Sequence, residues 1–225
     1  MRIRFIFPIL GLLLLAGLAL PAQKQEQNPT IPTITFDRVW EAYTPQSIDI
    51  SVQSTGSARY LSRNPLKPPA ETGPDSDYVL EFTMSGASLD KLFHCARETN
   101  YFKGDFSYKK HPVASTGKKT LTYGDQSRHE ETSYDFSENK CIKEITDIFQ
   151  GLSNTIEYGR KLQFLHRFDK LGLEAELKGM ESAAENHNLA EVQVIAPTLE
   201  SIAQDGSVLN IARDRARRLL ARKSF

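Results

Sequence analysis

Residues 46–61, QSIDISVQSTGSARYL, carry the clearest structural signal in the chain. From Ile48 to Val52 every second residue is apolar and the residues between are polar, which is the period-2 pattern of a half-buried strand. Residues 54–57 are Ser-Thr-Gly-Ser, a turn composition, and residues 58–61 can return as the second strand of a hairpin. The segment therefore predicts an antiparallel hairpin with one face toward a core.

Strands and helices alternate on both sides of this hairpin. Ser88 and Ser137 each precede an apolar stripe of helical period and are predicted to cap a helix. Antiparallel hairpins with interspersed helices are typical of an α+β fold, so we expect an antiparallel sheet with two helices on one face. The predicted elements of this α+β domain, residues 33–158, are strands at 33–39 and 78–84, a second hairpin over 119–136, and helices over 88–99 and 138–156.

From residue 160 onward the strand signal stops, and apolar residues recur at helical spacing. The sequence thus predicts a helical C-terminal region over 160–225, with a polar break at 185–188. Pro197 lies inside the later helical pattern and predicts one kinked helix or two abutting ones. Asp205-Gly-Ser207 is predicted to end this pattern and to cap a last helix, with Ser207 nearest to its start. Residues 64–77 contain four prolines and are predicted to form a surface loop.

Residues 1–22 have the parts of a secretory signal peptide: a basic start, an apolar stretch and a small residue at the expected cleavage point, which is Ala22 by preference or Ala19. The alternative is an uncleaved anchor, but the apolar stretch is shorter than the roughly 20 residues that a membrane span needs. Leu18 stands where a lipoprotein would need cysteine, so we expect no lipid anchor. We predict a flexible lead over 23–32 and a mature, soluble protein without a transmembrane span, secreted or periplasmic.

The composition is that of an ordinary folded protein, with 40% hydrophobic and 25% charged residues. Lys+Arg and Asp+Glu are equal at 28 each. Such a balance, together with an export signal, argues against nucleic acid as a partner.

The order of elements over 46–156 resembles that of a small secreted bacterial domain of unknown function. Asn100-Tyr-Phe-Lys-Gly-Asp105, after the first predicted helix, is similar to the segment that such proteins carry there. The resemblance implies an exported α+β domain, and it implies no catalytic residues.

No sequence motif indicates a metal, a cofactor or a catalytic nucleophile. The five histidines are scattered, without H-x-H or H-E-x-x-H spacing. There is no G-x-S-x-G motif, and two of the three serines in S-x-x-K matches are the predicted helix caps. Ser115-Thr-Gly-Lys-Lys119 resembles the end of a phosphate loop, but Pro112 replaces the earlier glycine. We therefore predict no metal site and no cofactor, and we interpret residues 115–119 as a turn.

The two cysteines, Cys95 and Cys141, lie in the two predicted helices of the sheet domain. Helices packed side by side on one sheet face can bring cysteine Cα atoms to about 6 Å, the distance that a disulfide needs. The alternative is a pair of buried free thiols, since each cysteine lies beside an apolar stripe.

A segment without clear periodicity follows the first predicted helix and interleaves aromatic and basic residues. Such side chains could hold a glycan or an acidic peptide; the alternative is an edge strand that packs its aromatic residues into the core. The candidate ligand-binding residues are Tyr101, Lys103, Phe106, Tyr108, Lys109, Lys110 and His111. A second basic run, residues 213–223, is interpreted as a solvated helix end or a contact for an anionic lipid or polymer.

We therefore predict an exported, non-enzymatic binding or interaction module of the cell envelope, with an envelope or secreted protein as its partner. The alternative is a hydrolase acting on an envelope or extracellular polymer, because catalytic groups need to meet only in space. That alternative requires a deep pocket with converging polar groups, such as His94, His129 or Asp135.

Overall fold

A computed structural model of the chain describes residues 30–64 and 76–222. Within these ranges the protein has an α+β fold, with a six-stranded antiparallel sheet and five α-helices. The predicted signal peptide, most of the predicted lead and most of the proline-containing loop lie outside the described residues. Among the helices of the described ranges, none has the length and apolar character needed to cross a membrane.

The six strands lie in the order β4-β3-β2-β1-β5-β6, and every neighbouring pair is antiparallel. The predicted strands and both predicted hairpins are confirmed, with ends that differ by a residue or two. The strands are β1 (Thr33–Val39), β2 (Ser47–Gln53), β3 (Ser57–Arg63), β4 (Tyr78–Thr83), β5 (Lys118–Gly124) and β6 (His129–Tyr134).

One face of the sheet forms the main core. In β1, Ile34 and Phe36 are fully buried, whereas Thr35 and Asp37 lie on the opposite face and keep partial exposure. Phe36 stacks on Phe149, which lies in the helix over Lys140–Phe168, with 5.1 Å between ring centroids. The alternation seen in the sequence is therefore the alternation between a core face and a mostly polar face.

Helix α1 spans Gly86–Glu98, and Ser85 caps it rather than the predicted Ser88. The Ser85 hydroxyl accepts the backbone N–H of Ser88 at 3.3 Å. The prediction was wrong because the apolar stripe begins a turn later than the helix does. Similarly, Asn139 caps α2 instead of the predicted Ser137, whose hydroxyl accepts the Asn139 N–H.

Helix α2 is one continuous element of 29 residues, Lys140–Phe168, whereas the sequence predicted two helices that meet near residue 159. Gly159 does not interrupt it, and Ile195 from the C-terminal region occupies the space where a Cβ of residue 159 would stand. Gly159 therefore allows the close approach of Ile195 and does not end the helix.

The other helices are α3 (Leu173–Glu185), α4 (Ala196–Gln204) and α5 (Asn210–Ala221), with a 3₁₀ turn at Val192–Ile195. Pro197 lies in the first turn of α4, where a missing N–H costs nothing. This outcome matches the predicted interruption of the helical pattern. Leu209 precedes α5, so the predicted cap at Ser207 is wrong; Ser207 instead bonds to Asp205 in the preceding turn.

The C-terminal helices pack on the sheet domain through a buried carboxylate. Glu191, 2% exposed, accepts hydrogen bonds from the Ser85 N–H at 2.7 Å and from the Ser85 and Ser88 hydroxyls at 2.6 Å each. A carboxylate at a helix N-terminus satisfies free amides and complements the helix dipole. Thr155 of α2 adds a hydrogen bond to the Ala190 carbonyl at 2.7 Å.

Candidate functional site

The cavity that includes a predicted ligand-binding residue lies at one end of the sheet, against α1. It has a volume of about 300 Å³ and we call it the aromatic pocket. Its walls come from one face of α1, from the turn that follows this helix and from the ends of β2 and β5. The residues that matter for its chemistry are Leu89, Asp90, Phe93, Arg97, Tyr101 and Tyr123.

The turn after α1 has an unusual backbone. Asn100, Tyr101 and Phe102 have φ angles of 49°, 59° and 71°, so three consecutive residues other than glycine are left-handed. Such a conformation costs about 1–3 kcal/mol for each residue that is not glycine, and least for asparagine. It persists because Phe102 is fully buried and because its N–H donates to the Thr99 carbonyl at 3.1 Å.

This turn places the Tyr101 ring against Tyr123, with 4.6 Å between ring centroids. The Arg128 guanidinium lies over the same Tyr101 ring at 4.1 Å, within the range of a cation–π contact. Burial, with a hydrogen bond from the Tyr123 hydroxyl to Asp125 at 3.1 Å, raises the pKa of Tyr123 to about 12. The Tyr123 phenol therefore stays neutral at neutral pH, and the Tyr101 ring contacts both Tyr123 and Arg128.

Two opposite charges flank the pocket on the exposed side of α1. Asp90 and Arg97 are seven residues apart, about 10 Å along the helix axis, and Phe93 lies between them. Neither charged side chain has an ion-pair partner within residues 30–64 and 76–222. The pocket thus combines an apolar, aromatic wall with one free acceptor group and one free donor group.

The structure separates the predicted ligand-binding residues. Tyr101 lines the pocket, and Phe106 packs partly buried against the core. Tyr108 packs edge-on against both Phe136, at 5.5 Å, and His111, at 5.6 Å. The segment 103–117 is not the edge strand of the alternative interpretation, since it has no strand residues before Lys118.

Each lysine of the predicted surface has a carboxylate partner. Lys103 pairs with Glu130 at 3.0 Å, and Lys110 with Glu138 at 2.6 Å. Lys109 pairs with Asp105. These are exposed pairs, which stabilise little but lower the charge available to an acidic ligand.

Cys95 of α1 and Cys141 of α2 lie at disulfide distance, with Cα atoms 5.0 Å apart. The predicted juxtaposition of the two helices is therefore confirmed. The pair connects α1, which forms one wall of the aromatic pocket, to the long helix that carries the C-terminal region.

Residues 115–117 are an irregular connection before β5, and Lys118 and Lys119 are already strand residues, so the predicted turn over 115–119 is wrong. The Lys119 ammonium is 2% exposed and donates to the carbonyls of Thr116, at 3.2 Å, Gly117, at 3.0 Å, and Asp135, at 2.8 Å. Burial lowers the pKa of Lys119. Backbone carbonyl oxygens thus surround the Lys119 ammonium, whereas a phosphate site would need free backbone amides.

The groups named for a hydrolase have separate environments. Asp135 accepts the Thr116 N–H at 2.8 Å, while His94 and His129 are exposed. In the described part of the chain, no three His, Cys, Asp or Glu side chains form a group that could hold a metal ion. The hydrolase alternative stays a prediction.

Sequence reasoning missed Phe93, Arg97 and Tyr123 as site residues. Phe93 was recognised only as part of an apolar stripe, and Tyr123 only as a strand residue. No local pattern joins them, because Phe93 and Arg97 lie on α1 and Tyr123 lies on β5. Comparisons of the chain with protein-family models, curated proteins and solved structures found no match.

Proposed function

We propose that the protein is an exported, non-enzymatic binding module of the cell envelope, and that it binds a saccharide ring in the aromatic pocket. The observation that carries this proposal is the left-handed turn, which holds Tyr101 on Tyr123 at a cost in backbone strain. Strained backbone that the surrounding structure maintains is typical of binding sites. Export is supported by the sequence of residues 1–22 and by the cysteine pair at disulfide distance.

A saccharide ring fits the chemistry of the walls. A volume of about 300 Å³ is at the small end of ligand pockets, so it suits a single ring. The apolar C–H face of a sugar can lie on Phe93 and the tyrosine edges, while its hydroxyls donate to Asp90 and accept from Arg97. The protein partner expected from the sequence stays a prediction beside this site.

The test is calorimetric titration of the mature chain with three neutral probes: the N-acetylglucosamine trimer, maltotriose and cellotriose. We expect at least one probe to bind with a dissociation constant of about 1 mM or below. Tyr101→Asn should weaken this binding at least tenfold, since asparagine tolerates the left-handed backbone but removes the ring. Tyr108→Ala removes an aromatic ring outside the pocket and should leave binding unchanged.

Two results would overturn the proposal. The first is the absence of binding to all three probes by folded protein at about 10 mM. The second is equal weakening by Tyr101→Asn and Tyr108→Ala, which would place any binding outside the aromatic pocket.

A further inference from the structure

A second feature, far along the chain from the aromatic pocket, is a group of exposed apolar side chains at one end of the helical region. We call it the apolar tip. Leu171 is 76% exposed and Phe168 63% exposed, the two largest values among the exposed large hydrophobic residues of the described ranges. The members of the apolar tip are Phe164, Phe168, Leu171, Leu209 and Ile211.

The tip is formed by two turns that lie side by side. The Lys170 ammonium, in the turn after α2, donates to the Asp205 carboxylate and to the Ser207 hydroxyl at 2.6 Å each. This contact joins the turn that carries Leu171 to the turn that precedes Leu209. The apolar side chains therefore lie at the end of α2, in the turn that follows it and at the start of α5.

A polar groove of about 520 Å³ lies next to the tip. It is lined by His166, Arg167, Lys170, Ser201 and Asp205, among others, and we call it the basic groove. The Arg167 guanidinium lies over the Phe168 ring at 5.0 Å, so the basic groove and the apolar tip share a border.

The charges of the groove favour an anion beside the apolar tip. Arg167 has no ion-pair partner in the described residues, whereas His166 and Lys170 share the single carboxylate of Asp205, at 2.8 Å and 2.6 Å. A guanidinium next to exposed aromatic and aliphatic side chains matches the boundary between phosphate headgroups and acyl chains.

We propose that the apolar tip and the basic groove bind the surface of an anionic phospholipid bilayer. Phe168 and Leu171 enter the region at the base of the headgroups, and Arg167 and Lys170 contact lipid phosphates. This is a surface attachment, independent of the aromatic pocket. Exposed apolar side chains bordered by the Arg167 guanidinium favour an anionic bilayer as the occupant.

The experiment is co-sedimentation of the chain from residue 23 with vesicles, since residues 1–22 would themselves insert into lipid. The vesicles are phosphatidylcholine alone, or with about 30% phosphatidylglycerol. We expect partitioning at least about tenfold stronger onto the anionic vesicles, decreasing with added salt.

Three variants test the residues. Phe168→Ser with Leu171→Ser should reduce partitioning about tenfold or more, because apolar burial is lost. Arg167→Gln should reduce it several-fold on anionic vesicles only. Val113→Ser is the matched control: Val113 is 45% exposed but lies outside the tip, so partitioning should not change.

Circular dichroism establishes that each variant is folded. Failure of the wild-type chain to bind anionic vesicles would overturn the proposal, as would an equal loss in Val113→Ser. A concentration-dependent dimer in sedimentation velocity that the tip variants abolish, without vesicle binding, would assign the tip to a second copy of the chain and refute the lipid proposal.

Discussion

Replacing Asp37 by asparagine should stabilise the protein at neutral pH. Asp37 of β1 lies directly opposite Asp49 of β2 in the antiparallel ladder, on the polar face of the sheet. Like charges directly opposite each other across two strands destabilise a sheet. Burial and the nearby Asp49 raise the pKa of Asp37 from its ordinary value of 3.8 to about 6, with a smaller contribution from Glu131.

The direction in which stability depends on pH follows from the raised pKa of Asp37. A carboxyl whose folded-state pKa lies above its unfolded value takes up a proton on folding, so stability falls as pH rises from about 4 to about 6. The difference between 3.8 and about 6 corresponds to about 3 kcal/mol at most. Because the pair keeps partial exposure, solvent screening reduces the expected effect to about 1–2 kcal/mol.

The assay is urea denaturation of wild type and Asp37→Asn at several values between about pH 4 and pH 7.5. The stability difference should be small at the acid end and should grow to about 1–2 kcal/mol in favour of the variant at neutral pH. Asp49→Asn should reproduce only the part of this gain that comes from the interaction with Asp49, because the burial that raises the pKa of Asp37 remains, and the double variant should add little to Asp37→Asn. Parallel stability curves for wild type and Asp37→Asn would refute the reasoning.

Three further changes test how the elements are joined, each by urea denaturation. Gly159→Ala should destabilise the protein by about 1–3 kcal/mol because its Cβ would collide with Ile195. Gly179→Ala, with only ordinary contacts, should stabilise it by up to about 1 kcal/mol. Equal effects of the two substitutions would contradict the close packing of Ile195 on Gly159. Glu191→Gln should cost about 2 kcal/mol, since the NH2 group of the amide cannot accept the hydrogen bonds that one carboxylate oxygen accepts. An unchanged denaturation midpoint would refute the role of Glu191 in joining the C-terminal helices to α1. Reduction of the Cys95–Cys141 pair should cost about 4 kcal/mol, estimated from its sequence separation of 46, and two alkylatable thiols before reduction would exclude the bond.

Most of the sheet could be predicted because the alternation of apolar and polar residues within a strand is a local sequence pattern. The alternation at Ile34 and Phe36 and at Ile48 to Val52 specifies which side chains face a core, and the burial of these residues follows it. Helix starts were less predictable, since Ser85 and Asn139 compete with nearby serines that are equally good caps by composition.

The candidate site depends on contacts that a local pattern does not encode. The segment at Tyr101 was recognised from its aromatic and basic residues, but the lysines there pair with Glu130 and Glu138, which lie far along the chain. Tyr123 of β5 and Tyr101 of the left-handed turn meet in the pocket although they are far apart along the chain. Neither tyrosine nor phenylalanine favours that conformation, so propensity argues against the geometry that the tertiary contacts impose.

A substitution at Tyr101 can distinguish a role of this side chain in ligand binding from a role in the stability of the fold. Phe102 explains why the turn exists, because its buried ring anchors the segment to the core. Tyr101 is a weaker anchor, because its ring is only partly buried against the same core. An asparagine there would relieve left-handed strain of about 1 kcal/mol and lose ring contacts with Tyr123 and Arg128 of similar size. Tyr101→Asn should therefore change the free energy of unfolding by less than about 2 kcal/mol while weakening saccharide binding at least tenfold, and denaturation and titration of the same sample measure both. A loss of more than about 3 kcal/mol would mean that the ring is a structural anchor, and the strained turn would then need no ligand to explain it.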